Sequence, residues 1–428
     1  MIQTGRALAT AAVLVSLLTA CSGPVSPTSP SPSVDLSAAR QAACQAAVDG
    51  VVQAVRAFVE PYNSTTASPS ASTAPTTPAP AQADIQAALE AAQRTVRQNS
   101  CDQRRFTADL ESGLATVTTR GAVASAVLRR LTAGLTGRIP DKPGRLTVDP
   151  DADLRKVIAE APTGSTLALP EGTFKVKESL VLLDGVSIVG EGAKRTRLDV
   201  SAAEAGIFVL TPDLVVINDL TMARTKTSLG SGIVTGPSAV LSLSDVVIRG
   251  ARADKKNQGG AGVHLSGEGR EAAGRGTTLE VTDSQFIGNT WAGIATSGGH
   301  RVSIVKSTFR DNGQCGLCFL TGSDGSVTDS RFVDNGIGVA IVGDARPTIL
   351  NNRITGGDVG IQAGEKARPT VERNTIESAA RAAVIYTDSA AGTLGHTTCK
   401  LVKYGIVLGP KALPTLIDND CTLSRSQK

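Results

Sequence analysis

Residues 309 to 319 read FRDNGQCGLCF, and a C-x-x-C pair such as Cys315 and Cys318 is suited to thiol exchange or to half of a zinc site. Redox chemistry at such a pair needs a helix N-terminus to stabilise a thiolate, and zinc needs two further ligands. Other residues suggest different chemistry. Asp219, Asp245 and Asp283 could together hold a calcium ion beside the carboxylates of a substrate. Three loops around His264 carry Arg224, Lys226, Arg249, Arg252, Lys255, Lys256, Arg270 and Arg275, which could attract an anionic polymer. Which of these chemistries is open depends on how the chain places the groups.

Large side chains recur at Phe286, Phe309, Phe332, Ile354, Ile376, Cys399 and Cys421, at intervals of 23, 23, 22, 22, 23 and 22 residues. A period this regular means stacked coils, each touching only its neighbours. With 44 glycines and 3% aromatic residues, the core must be filled by aliphatic side chains on short strands between frequent bends. At about 3.3 Å per residue a coil traces roughly 70 Å. Because β-branched and small polar residues alternate where a leucine-rich repeat would place leucines, the expected architecture is a parallel β-helix. Two strands per coil are expected, such as Val281 to Phe286 and Gly293 to Thr296. Ser284, Ser307, Ser330, Asn352, Asn374, Thr397 and Asn419 form one polar column, and Asn289, Asn312 and Asn335 another. Both columns are expected to hydrogen-bond along the axis.

The period also sorts the candidate chemistry. Outward positions on the second strand are Phe208, Val234, His264, Ala295, Cys318, Ala340, Gln362, Ile385 and Val407, a column without carboxylate, lysine or arginine. Acid–base cleavage of a glycan needs such groups, so this flank reads as chemically inert, or as an apolar strip covered by the helical domain or by another protein. Cys315 falls in an inward column and Cys318 in an outward one, about 10 Å apart in an extended strand. His264, His300 and His396 belong to different coils or columns, which favours two structural thiols or a locally bent disulfide over redox or metal chemistry at the pair. Cys399 and Cys421 share a column in successive coils, so a disulfide there would seal the last coil. The aspartates belong to an outward charged column with Lys306, Asp329, Asn351, Arg373, His396 and Asp418, which reads either as a calcium site or as a solvated ladder. Scarce aromatics argue against a stacking platform for neutral sugars.

Before residue 140 the sequence has helical periodicity over 37 to 60, 83 to 98 and 104 to 136. A small helical domain over 37–136 is expected, with a disordered, Ser/Thr/Pro-rich insert at 61–82. Cys44 and Cys101 flank that insert and are candidates for a bridge. The net charge of +4 and the lack of a dense basic run exclude nucleic acid as the partner.

Two resemblances extend this reading. The stretch LRKVIAEAPTGSTLALPEGTFKVKESLVLLDGVSIVGEG, followed by N-x-I and G-I repeats, resembles pectin-lyase-like β-helix proteins over about 150 to 425. That implies a right-handed coil over 150–425 whose first turn is capped by an amphipathic helix, in a mainly β chain. The family includes lyases, hydrolases, epimerases, adhesins and scaffolds, so fold alone assigns no activity. The D-P-H, G-H-G and R-x-P-x-x-R motifs of its enzymes are absent at the matching positions. At the other end, residues 1–20 read as an export signal, and LTAC resembles the lipobox of bacterial lipoproteins. The resemblance implies lipidation at Cys21, a Ser/Pro-rich tether over 21–36 and anchoring outside the cytoplasm. Two functions follow as expectations. The first is a surface-tethered β-helix that binds or scaffolds anionic polysaccharide through His264, Arg252, Lys255, Lys256, Arg270 and Arg275, with no cofactor. The second is a lyase or hydrolase of acidic glycans, using the aspartate column, where calcium could bind, or Lys255, Lys256 and His264.

Overall fold

The computed structural model describes residues 36–63, 79–255, 259–266 and 276–425. Cys21, the expected export signal, the expected tether up to residue 35, residues 64–78 of the expected insert, and Lys256, Arg270 and Arg275 lie outside the described residues; the ends of that insert, 61–63 and 79–82, are helical and not disordered. The chain divides into two compact units.

The helical unit contains α1 (Leu36–Asn63), α2 (Ala79–Asn99), α3 (Gln103–Leu114), α4 (Gly121–Leu135) and most of α5 (Leu154–Glu160). In α1 the buried residues Val48, Val51, Val52, Val55, Phe58, Val59 and Tyr62 recur at helical spacing and form one stripe. Asp102 caps α3, its carboxylate accepting from the Arg105 amide at 2.7 Å. Cys44 and Cys101 are bridged across a separation of 57 residues. The periodic segment 104 to 136 is two helices, because Thr116, Val117, Thr118 and Thr119 are β-branched and resist the helix. Asn63 secures the break: its Nδ2 donates to the Thr118 carbonyl at 3.2 Å and its Oδ1 accepts from the Arg120 amide at 2.6 Å. The helix expected to cap the first coil is tied to α4, where Arg130 Nη1 donates to the carbonyls of Ala159 at 3.0 Å and Ala161 at 2.5 Å.

The second unit is a parallel solenoid of about 11 turns. Every named strand pair is parallel, and the register joins equivalent residues of successive coils. Met222, Ile248, Phe286, Phe309, Phe332, Ile354, Ile376 and Cys399 follow one another in that register. The three phenylalanines stack at centroid distances of 5.0 and 4.8 Å. Cys399 and Cys421 are bridged in the last coils.

Each regular coil has three strands where two were expected. Val281 to Phe286 is divided into Thr278–Thr282 and Gln285–Ile287 because Asp283 takes a left-handed backbone, with φ 48°. The same corner is left-handed at Asp219, Asp245, Lys306, Asp329, Asn351, Arg373, His396 and Asp418. Asp and Asn tolerate that conformation best among residues with a side chain, which accounts for much of the column's composition. Beside it, the Ser307 amide donates to Ser330 Oγ at 3.1 Å, and the Ser330 amide to Asn352 Oδ1 at 2.9 Å. In the second polar column Asn289 Nδ2 donates to Asn312 Oδ1 at 2.9 Å, and Asn312 Nδ2 to Asn335 Oδ1 at 2.8 Å. Buried amides joined in this way satisfy the bends that each coil must make.

Candidate functional site

The strand carrying C-x-x-C bends at its glycine. Pairing to the previous coil joins Ala292 with Cys315 and Ile294 with Leu317, and skips Gly316. A Cβ on Gly316 would lie 2.7 Å from Phe332 Cδ1 and 2.8 Å from the Gly338 carbonyl, so this residue faces the interior. Leu317 is also fully buried. Two inward residues in succession shift the alternation by one step, as in a bulge. Cys315 and Cys318 therefore share one face, where they are bridged with their Cα atoms 5.9 Å apart. This corrects the placement of Cys315 in an inward column and the 10 Å separation expected of a straight strand. The bridge belongs to an apolar floor with Ala261, Ala292, Ala295 and Ala340, bordered by half-buried Trp291, Leu320 and Ile337.

His264 is in register with Phe208 and Val234 on one side and Ala295, Cys318 and Ala340 on the other, as the period requires. It is only 3% exposed, however, and meets Trp291 edge-on at 5.1 Å. Burial, assisted by the charge of His300, pushes its pKa down to about 4, so the imidazole is neutral near pH 7. His300 is also lowered by burial, against the opposing bond to the Ser297 carbonyl. Its ring is satisfied on both sides: Nδ1 accepts from the Thr277 amide at 3.0 Å and Nε2 donates to the Ser297 carbonyl at 2.8 Å. His264 Nδ1 is buried with no hydrogen-bond partner among the described residues.

This arrangement sets a pH dependence. The folded state holds His264 below its ordinary value of 6.5, so the unfolded chain binds that proton more tightly. The contribution is complete above the ordinary value and is lost as pH falls toward about 4, by about 3 kcal/mol across the window. Urea unfolding at pH 7 and pH 4.5 is expected to show a smaller loss in His264→Gln than in the parent chain. Equal losses would rule out this origin.

The cations separate into two groups. Arg224 is buried, and its guanidinium donates to the carbonyls of Ser231 at 2.7 Å, Ala202 and Leu229. Desolvation lowers its pKa to about 10. It ties down the following loop and does not belong to an exposed patch. Lys226, Arg249, Arg252 and Lys255 are exposed. Arg249 ends a strand, paired with Ala223 and Ile287, while the loops that carry Lys226 and Arg252 are joined by the antiparallel bridge between Gly230 and Arg252, and a second bridge joins Ala253 to Gly259. The Ala253 amide donates to Thr290 Oγ1 at 2.8 Å, and the Trp291 amide to the Gly260 carbonyl at 2.9 Å. The cationic loop thus borders Trp291, whose role the repeat template does not signal; it is the chain's single tryptophan.

Of the three aspartates, Asp219 and Asp245 meet. Burial raises the Asp219 pKa, and the charge of Asp245 and a hydrogen bond to its side chain add to the rise. Among the described residues no three His, Cys, Asp or Glu side chains gather as a metal site, so the structure does not bring Asp283 together with the other two as a ligand set.

A family model for the right-handed β-helix region matches residues 261–421. A comparison with curated proteins finds no match. Among solved structures, the chain resembles an alginate lyase from Paenibacillus sp. str. FPU-7 at 15% identity and TM-score 0.45, over 64% of this chain and 97% of that one. It also resembles the catalytic unit of a GH87 α-1,3-glucanase from Streptomyces thermodiastaticus strain HF3-3, at 14% identity and TM-score 0.37, over 68% and 70%. A third is tailspike protein 2 from Escherichia coli O157:H7 bacteriophage CAB120, at 13% identity and TM-score 0.39, over 67% and 42%. The register of the coils and the matched model agree: the chain carries a right-handed β-helix, preceded by a small helical unit.

Proposed function

We propose that this chain is an extracytoplasmic lipoprotein, anchored at Cys21, whose β-helix binds or scaffolds an anionic polysaccharide. The observation that carries the binding reading is the set of exposed cations Lys226, Arg252 and Lys255 on two loops bridged to each other, with exposed Arg249 at the end of the strand that leads into the second. The neighbouring outward column, from Phe208 to Val407, has no carboxylate, lysine or arginine to act as acid, base or charged electrophile. The reading favours retention over cleavage. Anchoring rests on the sequence around Cys21, and the parent chain's partition into detergent after expression in a lipoprotein-processing host tests it against Cys21→Ala.

The test of binding is retention on immobilised polygalacturonate, alginate and uncharged dextran over a salt series. Expected are retention on the two acidic polymers, weakening with salt, and loss in the double variant Arg252→Glu/Lys255→Glu. Retention on no acidic polymer would overturn the reading. Release of unsaturated products, abolished by a calcium chelator, would replace it with a polysaccharide lyase.

A further inference from the structure

We infer that the carboxyl-terminal end of the solenoid is a docking face for a second copy of this chain, the two joined end to end across a two-fold axis. The inference is independent of what the cationic loops bind. Of the eight large apolar side chains exposed among the described residues, five lie between 401 and 423, so exposure is concentrated in the last coils. Their columns do not account for it. Leu401 stands where the preceding coils carry Asp311, Asp334, Gly356 and Ser378, and it is the only apolar side chain among the described residues held in the left-handed backbone, with φ 52°. Leu413, 79% exposed, stands where they carry Arg346, Arg368 and Ala391. Core positions are open as well. Leu423 continues the column of Val384 and Ile406, which are buried, yet it is 50% exposed. Leu416 continues that of Val371 and Leu394, also buried, and is half-exposed. The step from Thr398 to Ile406 takes eight residues and that between their counterparts Asp420 and Leu423 only three, so Leu401 and Tyr404 have no rung laid over them. A terminal coil facing water needs a polar outer layer. Here the rim exchanges charges for leucines where the core layer is uncovered, which marks an interface.

Among the described residues the strands Thr415–Ile417 and Leu423–Arg425 are paired on one side only. A strand edge that meets its own copy across a two-fold pairs antiparallel, so its free donors and acceptors match themselves. The exposed rim also keeps Lys403 and Lys411 on the same face as Asp418 and Asp420, and a two-fold can set each sign against the other. A head-to-tail chain would need an open apolar face at the other end, but in the first coil Leu167, Phe174, Val176, Leu180 and Leu182 are all buried. A coil of roughly 70 Å perimeter encloses on the order of a few hundred Å², which puts the contact at the small end of specific interfaces. Dimerisation should therefore depend on concentration.

The test is sedimentation velocity of the full chain bearing Cys21→Ala, which leaves no lipid to drive association, over about 1 to 100 μM. The expected result is a monomer–dimer equilibrium without larger species. Adding Leu401→Asp and Leu413→Arg restores the residue types of the earlier coils and removes a leucine from the left-handed backbone. This variant should resist urea as the parent does, while its dimerisation weakens by at least about tenfold. Zero-length carbodiimide coupling of mixed isotopically light and heavy chains should join Lys403 or Lys411 of one copy to Asp418 or Asp420 of the other. Should the variant not fold, that coupling in the parent chain decides the matter. A monomer throughout the series, assembly beyond the dimer, a dimer indifferent to the two substitutions, or links between copies that leave the last coils out would each overturn the proposal.

Discussion

Phe309→Ala is expected to lower the stability of the solenoid by about 3–5 kcal/mol, measured by urea unfolding. The ring is fully buried and stacked between Phe286 and Phe332 at 5.0 and 4.8 Å. Its removal takes away apolar burial and leaves a cavity whose floor and ceiling are the neighbouring coils. Those coils cannot close the gap, because their spacing is fixed by the strand ladder at roughly 4.8 Å and by the asparagine column beside it. Phe309→Leu keeps most of the volume and should cost much less. A loss below about 1 kcal/mol for the alanine variant would mean that the coils collapse onto the void, contrary to a stack fixed by its ladder.

The second large effect belongs to the helical unit. Replacing Cys44 and Cys101 together by Ala opens a loop of 57 residues, and the chain-entropy relation assigns roughly 4 kcal/mol to that closure. The bridge ties α1 to the turn after α2, on either side of the Ser/Thr/Pro-rich insert. Because the units are separately compact, the melting of α1 to α4 should shift down while the solenoid transition stays in place. Far-ultraviolet circular dichroism, which resolves helix from strand, reads the two transitions. A melting temperature unchanged for the helical transition would show that packing of the Val48, Val52 and Val55 stripe holds the unit without the bridge.

Relations between coils were legible in the sequence. A side chain and its counterpart 22 or 23 residues later keep the same environment whatever the strand does locally, so the column from Phe208 to Val407 emerges in register. Relations within a coil were less legible. Alternation assigns faces only while a strand is straight, and the bend at Gly316 turns two successive residues inward and carries Cys315 to the face of Cys318. The left-handed corner at Asp283 likewise divides what reads as one strand. At the candidate site, period alone placed His264 outward. It did not show that the residue is buried against Trp291, because their contact joins different positions of successive coils.

The forward-pointing ladder has a consequence for how the molecule is made. Backbone amides of Ser284, Ser307, Ser330, Asn352 and Thr397 each donate to a side-chain oxygen of the coil that comes later in the chain. A polypeptide arriving amino end first thus always presents an unfinished rung at its growing tip, completed only when the next turn is delivered. Closure advances with delivery, and the newest turn is the one most open to proteases or to chaperones. Arrest of synthesis or translocation after any full turn should leave the earlier turns wound and only the last one loose.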